Sequence, residues 1–410
     1  MTRFPYGRTF LLGFGFFGIS IIWPLFNSLI PPMLEDLGLT AVVVGFILTW
    51  DNIINLFVQP WVGSRSDRTR SRFGRRKPWL MVGAPLAALF FILVPFVREN
   101  FVLIAVAILG TNIGMALFRS PTVSYLGDLF RPEDRSKANG VINLMGGLGS
   151  AAALFGGGAL YRLGVPLPFI VGAGVMLAVI ALLLIIVREP EPPAAPAASG
   201  REPGVLDNLR EVAAGPEKSG LWLLAAIFFW FVGWNAMEAF FTLYTRNVLG
   251  IEVGRGTQML TAFAATFILF SIPSGLIASR VGRRPTILVG IVGMLAGLIA
   301  GFVIRQPSLL LILLALLGAF WSLININSLP MVYDLGGSER IGAFTGLYYF
   351  SSSAAAITGP ILAGQLIDLT NHAAIWAFSA LFMALAGVAM YRVRPVVARR
   401  KQAVGAGREV

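Results

Sequence analysis

The chain has 410 residues, 56 % of them hydrophobic and only 13 % charged, with a mean hydropathy of +0.78. Soluble domains carry about 25 % charged residues, so this composition excludes an ordinary soluble enzyme and a disordered chain and points to a polytopic membrane protein. The formal charge of +12 then reads as basic cytoplasmic loops rather than a nucleic-acid surface, and the lack of cysteine excludes disulfides, thiolate metal sites and thiol nucleophiles.

Met1–Arg8 is short and no small-residue cleavage site follows the apolar run after it, so no cleaved signal is expected. Phe10–Ile30 is apolar and, at ~1.5 Å per residue, spans a hydrocarbon core of ~30 Å. It carries Asn27. Eleven more apolar runs are expected near 41–62, 79–97, 101–127, 138–160, 166–187, 220–244, 258–279, 285–304, 308–333, 342–367 and 372–391. With twelve spans both termini share a side. Of 32 Lys and Arg, 26 fall on that side, five on the other, and Arg119 lies within a span. This bias places both termini in the cytoplasm.

The second run holds Asp51, Asn52, Asn55 and Gln59. Positions 51, 55 and 59 share one helical stripe. A carboxylate near the midplane costs at least ~2.5 kcal/mol, so Asp51 is expected either to serve transport or to sit neutral against Asn. The fourth run brings Asn112 and Arg119 to a similar depth. Arginine keeps its charge, so Arg119 either meets a carboxylate or substrate or snorkels to the surface. The seventh run sets Trp230, Trp234 and Glu238 on one stripe, with Asn235 beside them. Aromatic faces next to a carboxylate suit sugars, and an aromatic core stripe is the plainer alternative. Asn325, Asn327, Ser328 and Pro330 are expected to break the tenth run. Tyr348, Tyr349 and Gln365 make the eleventh polar, either lining a path or bonding between helices. The single histidine, His372, supports neither a His-rich metal site nor a Ser-His-Asp triad, so no metal or cofactor is expected.

Between the sixth and seventh runs, Pro190–Pro196 reads as a linker. The expected division is a bundle of residues 1–187, a linker of 188–219, a second bundle of 220–395 and a basic tail of 396–410. A repeat supports it. Gly63, Asp67, Arg68, Gly74, Arg75 and Arg76 follow the second run, and Gly275, Ser279, Arg280, Gly282, Arg283 and Arg284 follow the eighth, with the first glycines 212 residues apart. Asp128, with Glu133 and Arg135 after it, is echoed by Asp334, with Glu339 and Arg340 after it, the two Asp lying 206 residues apart. Two parallel pseudo-symmetric six-helix bundles around a midplane site are the expected architecture.

Gly63–Arg68 followed by Gly74–Lys77 resembles the helix 2–3 loop signature of the major facilitator superfamily. The resemblance covers nearly the whole chain in topology and implies an all-α membrane fold of twelve helices. Val58-Gln59-Pro60 through Asp67-Arg68, then Ser71–Arg76 and Pro78-Trp79, is similar to sucrose-type carriers. Trp50-Asp51 with Asn55 resembles helix 2 of the glycoside–pentoside–hexuronide carriers, where a second acid stands at the position of Asn55. These families imply cation-coupled sugar symport. They also imply that Asp67, Arg68, Arg75 and Arg76 form inter-helix ion pairs that gate the conformational change, with Gly63, Gly74, Asp128, Arg135, Arg283, Arg284, Asp334 and Arg340 in the same gate.

The expected function is proton-coupled uptake of a di- or oligosaccharide by alternating access in the bacterial inner membrane. The chain would act as a monomer, without nucleic acid or direct ATP use. Asp51, Arg119 and Glu238 are the coupling candidates. Asn27, Asn52, Asn55, Asn112, Trp230, Trp234, Asn235, Asn325, Asn327, Tyr348, Tyr349 and Gln365 are the candidates for solute contact. Asn55 in place of an acid leaves few hard oxygens for Na⁺. Transport of another small solute is the rival in class, and a non-transporting receptor or scaffold the rival outside it.

Overall fold

The structure is a computed structural model and describes residues 6–129, 132–187, 189, 209–210, 218–336 and 341–394. Among these, twelve helices are long and apolar enough to cross a membrane: Leu12–Asp36, Ala41–Arg68, Lys77–Phe96, Phe101–Tyr125, Gly140–Leu163, Leu167–Ile186, Ser219–Asn247, Val253–Val281, Arg283–Val303, Pro307–Asp334, Phe344–Leu369 and Ala374–Arg392. The chain is a multi-pass membrane protein. Helices are the only open form in which every backbone group is satisfied within its own segment in hydrocarbon. Hydroxyls inside them are satisfied locally: Thr111, Thr122, Ser271 and Thr358 each donate to the carbonyl four residues back.

Several spans run past their expected ends. The first helix continues beyond Ile30, through Pro31 and Pro32, to Asp36, which carries Glu35 and Asp36 on helix. The tenth helix runs unbroken through Asn325 and Pro330 to Gly336, so the expected break does not occur. Proline is tolerated in a packed transmembrane helix because neighbouring groups take up the bond it frees. The second span differs in the opposite sense. It is two helices, Ala41–Leu48 and Trp50–Arg68, meeting at Thr49. Thr49 is fully buried, and its hydroxyl donates to the Phe46 carbonyl at 2.7 Å while its amide bonds the same oxygen at 3.0 Å.

Two compact units result. The first comprises Met1–Ala195, Glu238–Ala265 and Ala363–His372, the second Pro196–Met237, Thr266–Leu362 and Ala373–Val410. Their boundary is therefore not the Pro-rich stretch alone. In the first unit, the first span packs chiefly against the fifth and sixth, and the third against the fourth and sixth. Its core includes Ile22, Leu25, Phe26 and Leu29, with Phe91 and Phe169 in ring contact at 4.8 Å. In the second unit, the ninth span packs against the tenth and twelfth, the counterpart six spans on. There Trp376 is fully buried in a notch at Gly301, where any Cβ would strike the indole. Outward-facing Ile185, Val303 and Leu369 leave an apolar exterior, as a lipid-facing surface requires.

Candidate functional site

The break at Thr49 makes Asp51 a first-turn residue of a new helix. The partial positive charge of a helix N-terminus favours an anion there. Asp51 Oδ1 accepts from Asn52 Nδ2 at 2.7 Å, and Phe46 and Trp50 meet edge-to-face across the break at 6.2 Å. Arg119 and Glu238 both lie within electrostatic reach of Asp51. Glu238 Oε1 accepts from Asn27 Nδ2 at 3.1 Å. Spans one, two, four and seven thus bring Asn27, Asp51, Asn52, Arg119 and Glu238 together inside the first unit. Asp51, Arg119 and Glu238 are each half-buried, and two carboxyls and one guanidinium so placed within membrane-spanning helices cannot all be charged at no cost. This group can hold a proton and exchange it for an ion pair. Asn55, one turn on, and the exposed Gln365 of the eleventh span also belong to this unit.

The second unit holds an aromatic cluster. Trp234 stacks on Trp321 at 5.1 Å and 21°, Phe231 meets both Trp321 and Tyr348 edge-on, and Tyr348 meets the exposed Tyr349. Trp321, 4 % exposed, is not among the sequence candidates, although Ser322 and Asn325 follow it closely. Other candidates are spent on packing. Trp230 is fully buried, so its indole is closed to a solute. Asn327 is 3 % exposed and donates to Ser274 Oγ at 2.9 Å and to the Leu323 carbonyl at 3.0 Å, which ties the tenth span to the eighth. Asn235 donates back to the Phe231 carbonyl at 2.7 Å. Tyr348 bonds Ser328 Oγ at 3.2 Å, and Asn325 is half-buried. Asn112 is 1 % exposed and neither its amide oxygen nor its nitrogen meets a partner among the described residues.

The loop after the second span is an ionic junction. Arg75 Nη2 lies 2.6 Å from Asp128 Oδ1, and Arg76 Nε 3.1 Å from Oδ2 of the same carboxylate. Arg76, 4 % exposed, also pairs with Asp67 and donates to Ser66 Oγ. Gly63 faces Ser120 of the fourth span, and Arg68 is exposed. Gly74 has φ +107°, and its counterpart Gly282 has φ +96°. Each left-handed turn precedes an Arg–Arg pair. Arg283 pairs with Asp334 as Arg75 does with Asp128, and Arg284 donates to the Tyr391 carbonyl at 2.7 Å. The side chain of Arg135 and all of Arg340 lie outside the described residues.

Glu189 is the junction residue that sequence reasoning misses. Its carboxylate accepts the amides of Arg75, Arg76 and Lys77 at 2.6, 3.1 and 2.8 Å and the Tyr125 hydroxyl at 2.7 Å. The only sequence signal is an acid placed directly before the Pro-rich stretch.

The sequence profile of the Major Facilitator Superfamily matches residues 10–260 and 256–409. The chain belongs to the Major Facilitator Superfamily. This superfamily member is 28 % identical over 154 residues to sucrose transport protein SUC3 of Arabidopsis thaliana, covering 32 % of this chain and 26 % of that protein. It is 36 % identical over 90 residues to sucrose transport protein SUT1 of Oryza sativa subsp. japonica, covering 22 % and 17 %. The chain thus aligns with about a quarter or less of the length of these curated relatives. The crystal structure of a mutant of the nucleoside transporter NupG superposes with a TM-score of 0.77 at 15 % identity, over 94 % of this chain and all of that one, which establishes the superfamily fold.

Proposed function

We propose that the protein is a secondary transporter that moves a sugar, a di- or oligosaccharide, with a proton by alternating access. The observation that carries this reading is the grouping of Asp51, Arg119 and Glu238 on membrane-spanning helices. Charge in hydrocarbon is expensive and marks ion and substrate paths, and a scaffold has no use for it. The sugar assignment rests on the partial matches to sucrose transport proteins and on the half-buried Trp234, whose indole is backed by the buried Trp321. The chain is read as two six-helix halves, 1–187 and 220–395, joined by 188–219. Matching left-handed glycines and Arg–Asp pairs at the second and eighth spans support that division. Both termini are assigned to the cytoplasm and the protein to the inner membrane, as a monomer.

In this reading Asp51 takes a proton when its surroundings open to the outer side. Burial favours the neutral acid, and an approaching guanidinium favours the carboxylate. Arg119 is the switchable partner that releases the proton on the inner side, and Glu238, anchored by Asn27, ties that exchange to the seventh span. No metal or cofactor takes part. Reconstituted vesicles with an imposed proton gradient should accumulate a labelled disaccharide above its equilibrium level, and collapse of the gradient should release it. A panel that shows only efflux of lipophilic cations would overturn the sugar reading in favour of export.

A further inference from the structure

The first unit holds a second ionisable cluster, at the helix ends opposite the Arg75–Arg76 junction. Its centre is His372, the chain's one histidine. His372 Nε2 stands 3.0 Å from Glu35 Oε1, at the last turn of the first span. Asn247, at the end of the seventh span, donates to both Glu35 oxygens at 2.9 Å and lies 3.3 and 3.4 Å from the two ring nitrogens. The histidine and glutamate side chains are 17 % and 24 % exposed. They are shielded enough for the bond to matter and open enough for a proton to arrive.

The surroundings complete the ring of contacts. Beside Glu35, Asp36 pairs with Arg246 of the seventh span at 2.5 Å, and Arg246 also donates to the Pro32 carbonyl at 3.3 Å. Asp368, four residues before His372, accepts the amides of Ala41 and Val42 at 2.7 and 2.9 Å, at the start of the second span. At the fifth span, Arg162 pairs with Glu252 at 3.5 Å, and Tyr161 lies within electrostatic reach of Arg98, Asp36, Arg246 and Glu252. Gly158 and Gly254 let the backbones of the fifth and eighth spans touch, since a Cβ on either would lie 2.4–2.5 Å from the other's carbonyl oxygen. Carboxylates and guanidinia in general keep their charge through neutral pH. An imidazole in general gains or loses its charge between about pH 5 and 8.

We propose that His372 is a proton-binding latch, which ties segment 363–372 to the outer ends of the first and seventh spans when it is protonated. A neutral ring can donate to the Glu35 carboxylate, but an imidazolium adds the attraction of opposite charges to that bond. Parting these ends costs the imidazolium its carboxylate, so the open form binds the proton less tightly. By linkage, acid then favours the joined form, and the effect fades as the ring deprotonates. This proton site is separate from Asp51: it sets how readily the outer ends part and carries no proton across the membrane. The consequence for transport rests on the alternating-access reading, but the latch itself does not.

The test uses no substrate, so a negative sugar assay leaves it intact. The chain has no cysteine, so spin labels can be placed at Leu163→Cys and Leu369→Cys, 79 % and 83 % exposed in the same unit. In lipid nanodiscs, the ratio of long to short label distances should rise about fivefold from about pH 5.5 to pH 8. His372→Gln should show the alkaline ratio at both pH values, and Glu35→Gln should also abolish the response. A parent ratio that does not change with pH, or a response that survives in His372→Gln, overturns the proposal.

Discussion

Replacing Glu189 should loosen the start of the third span. Its carboxylate is the acceptor for three consecutive backbone amides, Arg75, Arg76 and Lys77, and for the Tyr125 hydroxyl. A helix N-cap is typically worth about 1 kcal/mol, and a hydrogen bond to a charged group about 1.5–3 kcal/mol. The four bonds share two oxygens and do not add in full. Glu189→Ala should therefore cost about 3 kcal/mol, and Glu189→Gln, which keeps one carbonyl oxygen, about half of that. For a chain of this size that is on the order of 5 °C for alanine and half as much for glutamine. The assay is thermal unfolding of the detergent-solubilised protein by tryptophan fluorescence at one fixed heating rate, because such unfolding is often irreversible. The exposed Glu99, changed to Ala, is the control and should stay within about 1 °C of the parent. If Glu189→Ala melts with that control, the carboxylate does not hold the helix start and the cap reading fails.

Asp51→Asn should abolish uphill sugar uptake in vesicles while leaving counterflow exchange partly intact; accumulation equal to the parent's would make Asp51 a structural hydrogen-bonder and Glu238 the leading coupling candidate. Gly254→Ala should drive the fifth and eighth spans apart, because its Cβ would lie 2.5 Å from the Gly158 carbonyl oxygen. Overpacking of this kind costs about 1–3 kcal/mol, so its melting temperature should fall by a few degrees. Gly156→Ala, whose Cβ meets nothing within 4 Å, should melt with the parent.

The twelve spans are legible because hydrocarbon admits few solutions and long apolar runs advertise them. Their ends are harder to read. Asp36 and Arg68 are still helical, since a charged residue at the membrane surface does not stop a helix. Proline misleads in the same way: Pro330 stays inside one helix. The real break, at Thr49, has neither Pro nor Gly to mark it. The intramembrane Asp51, Arg119 and Glu238 stand out singly as costly charges, and their nearness to one another is a tertiary fact that no spacing within one helix reveals. Depth and stripe likewise do not tell a solvated indole from a buried one. Trp230 and Trp234 share a helix face by count, yet only Trp230 is sealed in the core. Glu35 and His372 lie 337 positions apart in the sequence, and nothing local to either marks them as partners.

Glu189 also sets where the chain will tolerate extra length. It pins the backbone three residues after the sixth span ends at Ile186. Residues inserted between Ile186 and Glu189 would have to bulge out or drag the carboxylate off the amides it holds. The same insertion beyond Pro196 leaves those bonds alone. Between Ile186 and Glu189, therefore, every residue is counted. Reporter domains and affinity tags should be kept out of that short interval.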